Sequence, residues 1–364
     1  MNKNKSLALY SKYFQITGHQ GPIYALCQDA KYIYSASADK FVARWHKSTG
    51  QQDDFAIRCT QAPFSLCVLA TQQHLAIGLS DGSIHLIDTA AKVELKFLKA
   101  HGAAVFAIAT NPAREQHYSA DAEGNLLVWD YQWNLLLNLP FSCGKIRQIV
   151  VAPDGSYLLL AGADGYFRKI ETTFFNEIHQ TFAHQEGCTA LCILPSGDIL
   201  SAGKDAYIRR WSASGEKLNA FPAHLGTIYQ LLALSDGNYV SASRDKSIKI
   251  WDQNNDQIQQ KLDLQMAGHR HSINALIAFE NGFARVELNK NWGIINTDGK
   301  EVVEPAYAEI GNYFKNTTWA RKDKTFGLVS SGKFIPVDGA EKIWDFETQD
   351  FTFAKKNGKI GYID

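Results

Sequence analysis

Across most of the chain, short apolar runs alternate with polar clusters rich in Gly, Asp, Ser and Pro. Ile23-Tyr24-Ala25-Leu26-Cys27 is one such run, and Pro153-Asp154-Gly155, Pro195-Ser196-Gly197 and Ser235-Asp236-Gly237 are typical clusters. Runs this short, bounded by turn residues, predict strands of antiparallel sheet. The runs also recur. Val42-Ala43-Arg44-Trp45-His46, Leu126-Leu127-Val128-Trp129-Asp130, Ile208-Arg209-Arg210-Trp211-Ser212 and Ile248-Lys249-Ile250-Trp251-Asp252 end alike, with weaker copies at Leu86-Ile87-Asp88 and Lys169-Ile170-Glu171. The equivalent positions 45, 87, 129, 170, 211 and 251 are separated by 42, 42, 41, 41 and 40 residues. Each unit opens with a small residue and His, as at Gly18-His19, Ala100-His101, Ala183-His184, Ala223-His224 and Gly268-His269. Four strands per repeat of about 41 residues predict the blades of a β-propeller.

With these residues the chain resembles the WD40 family over roughly residues 1–298. The resemblance implies an all-β, seven-bladed propeller and a hydrogen-bonded His, Ser, acid and Trp in each blade. The implied tetrads are His19, Ser35, Asp39 and Trp45; His101, Ser119, Glu123 and Trp129; His184, Ser201, Asp205 and Trp211; and His224, Ser241, Asp245 and Trp251. Blades two and four lack His, Ser and Trp as a set, with Ile77 and Ile87 or Leu160 and Ile170 instead, but retain Asp81 and Asp164. Loss as a set suits a buried network, because a half-satisfied polar cluster is worse than an apolar replacement. By the same resemblance the strand within residues 6–16 completes the last blade. The seventh unit begins normally at Gly268-His269 and then departs, leaving His269 without its usual partners.

A second period explains the departure. Trp292-Gly293-Ile294, Phe326-Gly327-Leu328 and Ile360-Gly361-Tyr362 place their glycines 34 residues apart. Each unit reads as a β-hairpin with a polar turn. These three units, over residues 282–364, resemble the bacterial WG repeat and overlap blade seven. Either residues 283–297 substitute for two strands of the seventh blade, or the hairpin belongs wholly to an appended β-domain. The first is favoured because His269 to Ile295 matches the His-to-Trp spacing of the other units.

Composition narrows the function classes. Hydrophobic residues make up 45% and charged residues 20% of 364, enough for a packed core. Lys and Arg total 37, as do Asp and Glu, and residues 300–364 carry ten of each sign, so no part is a basic or acidic tail. That argues against nucleic-acid binding, which needs clustered excess cations. No apolar stretch reaches the ~18 residues of a spanning helix, and Leu7-Ala8-Leu9-Tyr10 is too short for a signal peptide. Cys27, Cys59, Cys67, Cys143, Cys188 and Cys192 mostly sit in apolar runs, as reduced thiols do. The expectation is a soluble, cytoplasmic, monomeric protein.

Catalytic and metal signatures are weak. Gly78-Leu79-Ser80-Asp81-Gly82 fits a nucleophile elbow, but that motif needs a strand-to-helix turn and this one joins two strands. Cys188 and Cys192 lack a second ligand pair, His269-Arg270-His271 reads as a blade start, and Gly197 to Lys204 lacks the helix of a phosphate loop. No metal or cofactor is expected, and no enzymatic activity. Asn316-Thr317-Thr318 is a glycosylation sequon without relevance in the cytoplasm. In propellers of this family, partners often dock around the central channel. The residues five after each His, or aligned with them, are Tyr24, Phe64, Phe106, Arg147, Thr189, Tyr229 and Asn274; Lys204 and Arg244 precede the turn acids. Tyr, Phe and Arg suit interface cores and hot spots. The expected function is a scaffold binding a protein or peptide on this face. The alternatives are a small-molecule or catalytic site in the channel, and a natural or engineered hybrid with no retained partner.

Overall fold

The computed structural model describes residues 16–47, 49–69, 73–234, 237–262, 272–277, 283–288, 291–296, 301–310, 317–330, 333–343, 352–357 and 359–363. The closing strand expected within residues 6–16 lies outside them except for Ile16, and His269 lies outside them as well. The chain divides into two compact units, residues 12–278 and residues 1–11 with 279–364. Among the described residues one 3-10 turn, Pro112–Arg114, interrupts an otherwise all-β chain, and no helix is long and apolar enough to cross a membrane.

In the larger unit, residues 23–262 form six four-stranded antiparallel sheets, each built from four consecutive strands. The first comprises Ile23–Gln28, Tyr32–Ser37, Phe41–His46 and Gln52–Arg58. The leading strands of the others are Pro63–Leu69, Val105–Asn111, Ile146–Val151, Cys188–Ile193 and Ile228–Ala233, and each packs against the leading strand before it. Burial follows this order. Second strands such as His74–Leu79 and Ile199–Gly203 are buried nearly throughout, because both their faces meet neighbouring sheets; fourth strands such as Val93–Lys99 are largely exposed.

The core is therefore apportioned among seams between neighbouring sheets. Tyr34, Phe55, Leu66 and Ile77 fill the seam of sheets one and two. Ile84 and Trp129 fill that of two and three, Tyr118 and Leu160 that of three and four, Phe167 and Trp211 that of four and five, and Leu200 and Tyr239 that of five and six. The far flank of sheet one, with Ile33, Ala43 and Trp45, packs against Ile16, Leu26 and Ile277.

Residues 272–277 follow the sixth sheet without regular strand pairing, yet they make the contacts of a leading strand. The Leu276 amide donates to Gln230 Oε1 at 3.1 Å, as the Leu191 amide donates to Gln148 Oε1 at 2.8 Å. Asn274 Nδ2 donates to the Ile23 carbonyl, as Thr189 Oγ1 donates to the Ile228 carbonyl.

The described residues of the C-terminal unit form three antiparallel sheets. Phe283–Leu288, Asn291–Asn296 and Glu301–Tyr307 form one; Glu309–Ile310, Thr317–Lys322, Thr325–Ser330 and Lys333–Pro336 the second; Ala340–Ile343, Thr352–Lys356 and Lys359–Ile363 the third. The hairpin expected to supply two strands of a seventh blade is thus hydrogen-bonded to Glu301–Tyr307 within this unit. Among the described residues its buried cluster comprises Val303, Tyr307, Ile310, Ala320 and Val329.

Candidate functional site: the turn networks and the leading edge

Four of the six sheets contain the same hydrogen-bonded chain. In sheet six Trp251 Nε1 donates to Ser241 Oγ at 2.9 Å, Ser241 Oγ lies 2.6 Å from His224 Nε2, and His224 Nδ1 lies 2.9 Å from Asp245 Oδ2. The indole can only donate, so the hydroxyl passes its own proton toward Nε2 and the neutral ring donates from Nδ1 to the carboxylate. Sheet one repeats the pattern with Trp45, Ser35, His19 and Asp39, and sheet five with Trp211, Ser201, His184 and Asp205. Burial favours the neutral ring: desolvation lowers His101 and His184 below 6.5 and His224 to about 4. Asp205 falls to about 2, because the hydrogen bonds from His184 and Arg209 outweigh its desolvation.

Sheet three departs from the sequence expectation. Trp129, Ser119 and His101 are linked at 2.9 and 2.7 Å, but His101 Nδ1 meets Asp121 Oδ2 at 2.9 Å, not Glu123. Asp121 stands two residues earlier, where sheets one and six have Ser37 and Ser243. Its other oxygen accepts the amides of Glu123 and Asn125 at 2.9 Å, so one fully buried carboxylate closes the turn and holds the histidine. The longer Glu123 side chain is left exposed.

Sheets two and four carry no such chain. Ile77, Ile87, Leu160 and Ile170 are buried in its place. In sheet four Arg168, buried and four residues along the strand, pairs with Asp164 at 2.6 Å. Asp81 accepts the Ser83 hydroxyl at 2.6 Å. In all six sheets the residue after the turn acid has a positive φ: Lys40, Gly82, Gly124, Gly165, Ala206 and Lys246. At Gly165 the backbone approach is so close that a Cβ would fall 2.0 Å from the His184 carbonyl oxygen.

One backbone bond recurs in every sheet and gathers the expected docking residues on a common edge. The residue before the turn acid donates its amide back to the carbonyl just ahead of the leading strand: Ala38 to Pro22, Ser80 to Ala62, Ala122 to Ala104, Ala163 to Lys145, Lys204 to Gly187 and Arg244 to Thr227. The side chains five after the His position meet along this edge. Tyr24 packs edge-on to Phe64 with centroids 5.0 Å apart, and Phe64 stacks on Phe106 at 4.9 Å. The Arg147 guanidinium lies 5.4 Å from the Phe106 centroid and 5.6 Å from that of Tyr229. Thr189 and Asn274 instead spend their polar atoms on neighbouring backbone. Lys204 and Arg244 are exposed on the edge. Sequence reasoning missed Lys145, whose Nζ lies 4.0 Å from the Phe106 centroid; its place two residues before Arg147 was the available signal.

Cys188 and Cys192 are buried free thiols, and desolvation pushes Cys192 up to about 12. Among the described residues no group of three His, Cys, Asp or Glu could hold a metal ion. A cleft lined by Gly18, His19, Asp39, Phe41, Trp45 and Gln52 opens beside the network of sheet one, and none of the aromatic series lines it.

Comparison with known proteins agrees with the repeat reading. An uncharacterized WD repeat-containing protein of Schizosaccharomyces pombe is 25% identical over 260 residues, covering 65% of this chain and 68% of that protein. Telomerase protein component 1 of Mus musculus is 24% identical over 257 residues, and the match spans 66% of this chain but only 10% of that protein. Shk1 kinase-binding protein 15 of Schizosaccharomyces pombe is 22% identical over 251 residues, covering 64% of this chain and 68% of that protein. The profile of the WD domain, G-beta repeat, matches residues 10–46, 176–212 and 215–252, and that of the WG containing repeat matches residues 292–326. The chain thus carries three WD40 repeats, within residues 10–46, 176–212 and 215–252, and a WG-containing repeat near its C-terminus.

Proposed function

We propose that the larger unit is a seven-membered propeller acting as a non-enzymatic scaffold, and that a protein or peptide partner docks on the edge bearing Tyr24, Phe64, Phe106, Arg147 and Tyr229. Thr189, Asn274, Lys204 and Arg244 flank that surface. The observation that carries the reading is the continuous aromatic-cation series from Tyr24 to Tyr229, contributed by five different positions. Rigid, half-buried rings beside a guanidinium are the side chains that anchor protein interfaces. The seventh member rests on residues 272–277, which repeat the leading-strand bonds seen elsewhere. The kinase-binding relative adds support for protein recognition by a chain of this kind.

The test is a pull-down with the wild type and the Tyr24→Ala/Phe106→Ala/Tyr229→Ala triple variant. Loss of specific partners from a folded triple variant supports the reading, and an unchanged set sinks the proposed edge.

A further inference from the structure

The two halves of the docking edge differ in chemistry. Sheets one to three contribute the rings of Tyr24, Phe64 and Phe106, with small residues at the backbone ties: Pro22, Ala62, Ala104, Ala38, Ser80 and Ala122. Sheets four to six contribute Lys145, Arg147, Lys204 and Arg244. Arg147 marks the junction, between the rings of Phe106 and Tyr229.

Among the described residues, no carboxylate is paired with any of these four cations, and the Arg147 guanidinium lies against the rings of Phe106 and Tyr229. Desolvation lowers both Arg147 and Lys145, and Lys145 also feels Arg147 and Lys204. The turn acids of sheets four to six are already committed. Asp164 is held by Arg168 at 2.6 Å, Asp205 by His184 at 2.9 Å and Arg209 at 2.7 Å, and Asp245 by His224 at 2.9 Å. Glu123 and Glu186 are exposed on nearby turns. Gathering like charges in a partly dry site is unfavourable until a counter-charge arrives.

A cationic ligand would find the ring faces of Phe106 and Tyr229 already served by the protein's own cations. Nucleic acid suits the edge poorly, because four cations on one half do not track a phosphate backbone and the chain is neutral at 37 against 37.

We infer that this edge selects an acidic segment of a partner protein, seating carboxylates on Arg147, Lys145 and Lys204 and an adjacent apolar side chain on the Tyr24–Phe64–Phe106 stack. The inference rests on the docking-edge reading above and specifies the partner's chemistry. Charge-assisted bonds from a pre-placed guanidinium would supply most of the selectivity.

An array of short peptides graded in net charge and apolar content, probed with the intact chain, tests it. Acidic peptides with one large apolar residue should bind at least about tenfold more than their Lys-for-Glu counterparts, and less as salt rises. Arg147→Gln should remove that preference, Arg147→Lys should keep part of it, and Lys217→Gln, on an exposed outer strand, should leave it intact. Matched melting temperatures verify folding of each variant. Equal binding of acidic and basic peptides, abolished by the triple aromatic variant, overturns the acidic preference and leaves the edge as the docking site. Capture of neither class overturns the preference, and partners that also survive the triple variant overturn the edge as well. A single-stranded oligonucleotide bound more tightly than every acidic peptide likewise overturns it.

Discussion

The side-chain amide of Asn274 donates to the backbone carbonyl of Ile23 at 2.8 Å, joining positions 251 residues apart in sequence. It is the counterpart of the bond by which Thr189 reaches Ile228 between two regular neighbours. Asn274→Leu should lower stability by about 1 kcal/mol, the usual worth of one such bond. Urea unfolding measures it, and a variant indistinguishable from wild type would show that this bond adds nothing to the stability of the larger unit.

The departure in sheet three gives a paired test. Asp121→Ala strips the partner from His101 and from two turn amides, and should cost about 3 kcal/mol or more. Glu123→Ala changes only an exposed side chain and should stay within about 0.5 kcal/mol. Reversal of that order in thermal or urea unfolding would restore Glu123 as the fourth member.

Acid should weaken the larger unit in two stages. His224 is lowered from 6.5 to about 4, so above pH 6.5 the ring is neutral whether folded or not. Between pH 6.5 and 4 the unfolded chain binds the additional proton and stability falls, by about 3 kcal/mol in total from this residue. Below pH 3.8 the depressed carboxylates, with Asp205 at about 2, begin to lose their contribution in turn. Unfolding free energies measured from pH 7.5 to 4.5 should show the first stage, and His224→Gln should flatten it. A wild-type profile flat over that range would contradict the buried neutral ring.

Gly165→Ala should be costly even though Ala206 occupies the matching turn position of sheet five. Ala206 has φ 64°, within ordinary left-handed geometry, whereas Gly165 has φ 91° and its turn lies against the His184 carbonyl. A loss of about 2 kcal/mol or more is expected. A melting temperature unchanged from wild type would mean that the backbone yields at this turn.

Much of the larger unit was legible because its period is rigid and its polar residues recur in register. The spacing from Ser to Trp along adjacent strands is fixed by strand pairing, so Ser35, Ser119, Ser201 and Ser241 stand out. The acid is less constrained, since a turn can offer a carboxylate from more than one position; hence Asp121 takes the place expected of Glu123. Arg168 escaped notice because nothing in sequence marks a cation four residues along a strand as the substitute for a histidine. Arg147 was visible as a residue type, but its contact with the Tyr229 ring comes from the sheet after next, which only folding brings beside it. The spacing from His269 to Ile295 favoured placing the hairpin of Phe283–Asn296 in a seventh blade, and spacing carries no sign of its pairing with Glu301–Tyr307.

The seam-by-seam core has a consequence for how the molecule tolerates damage. Each sheet owes its stability to two neighbours and to almost nothing farther away, so the unit behaves as a short one-dimensional chain whose ends meet. In such a loop the location of the polypeptide termini matters little. A new break placed in an exposed turn between two well-matched sheets should be borne readily, because each flanking sheet keeps its packing on both sides.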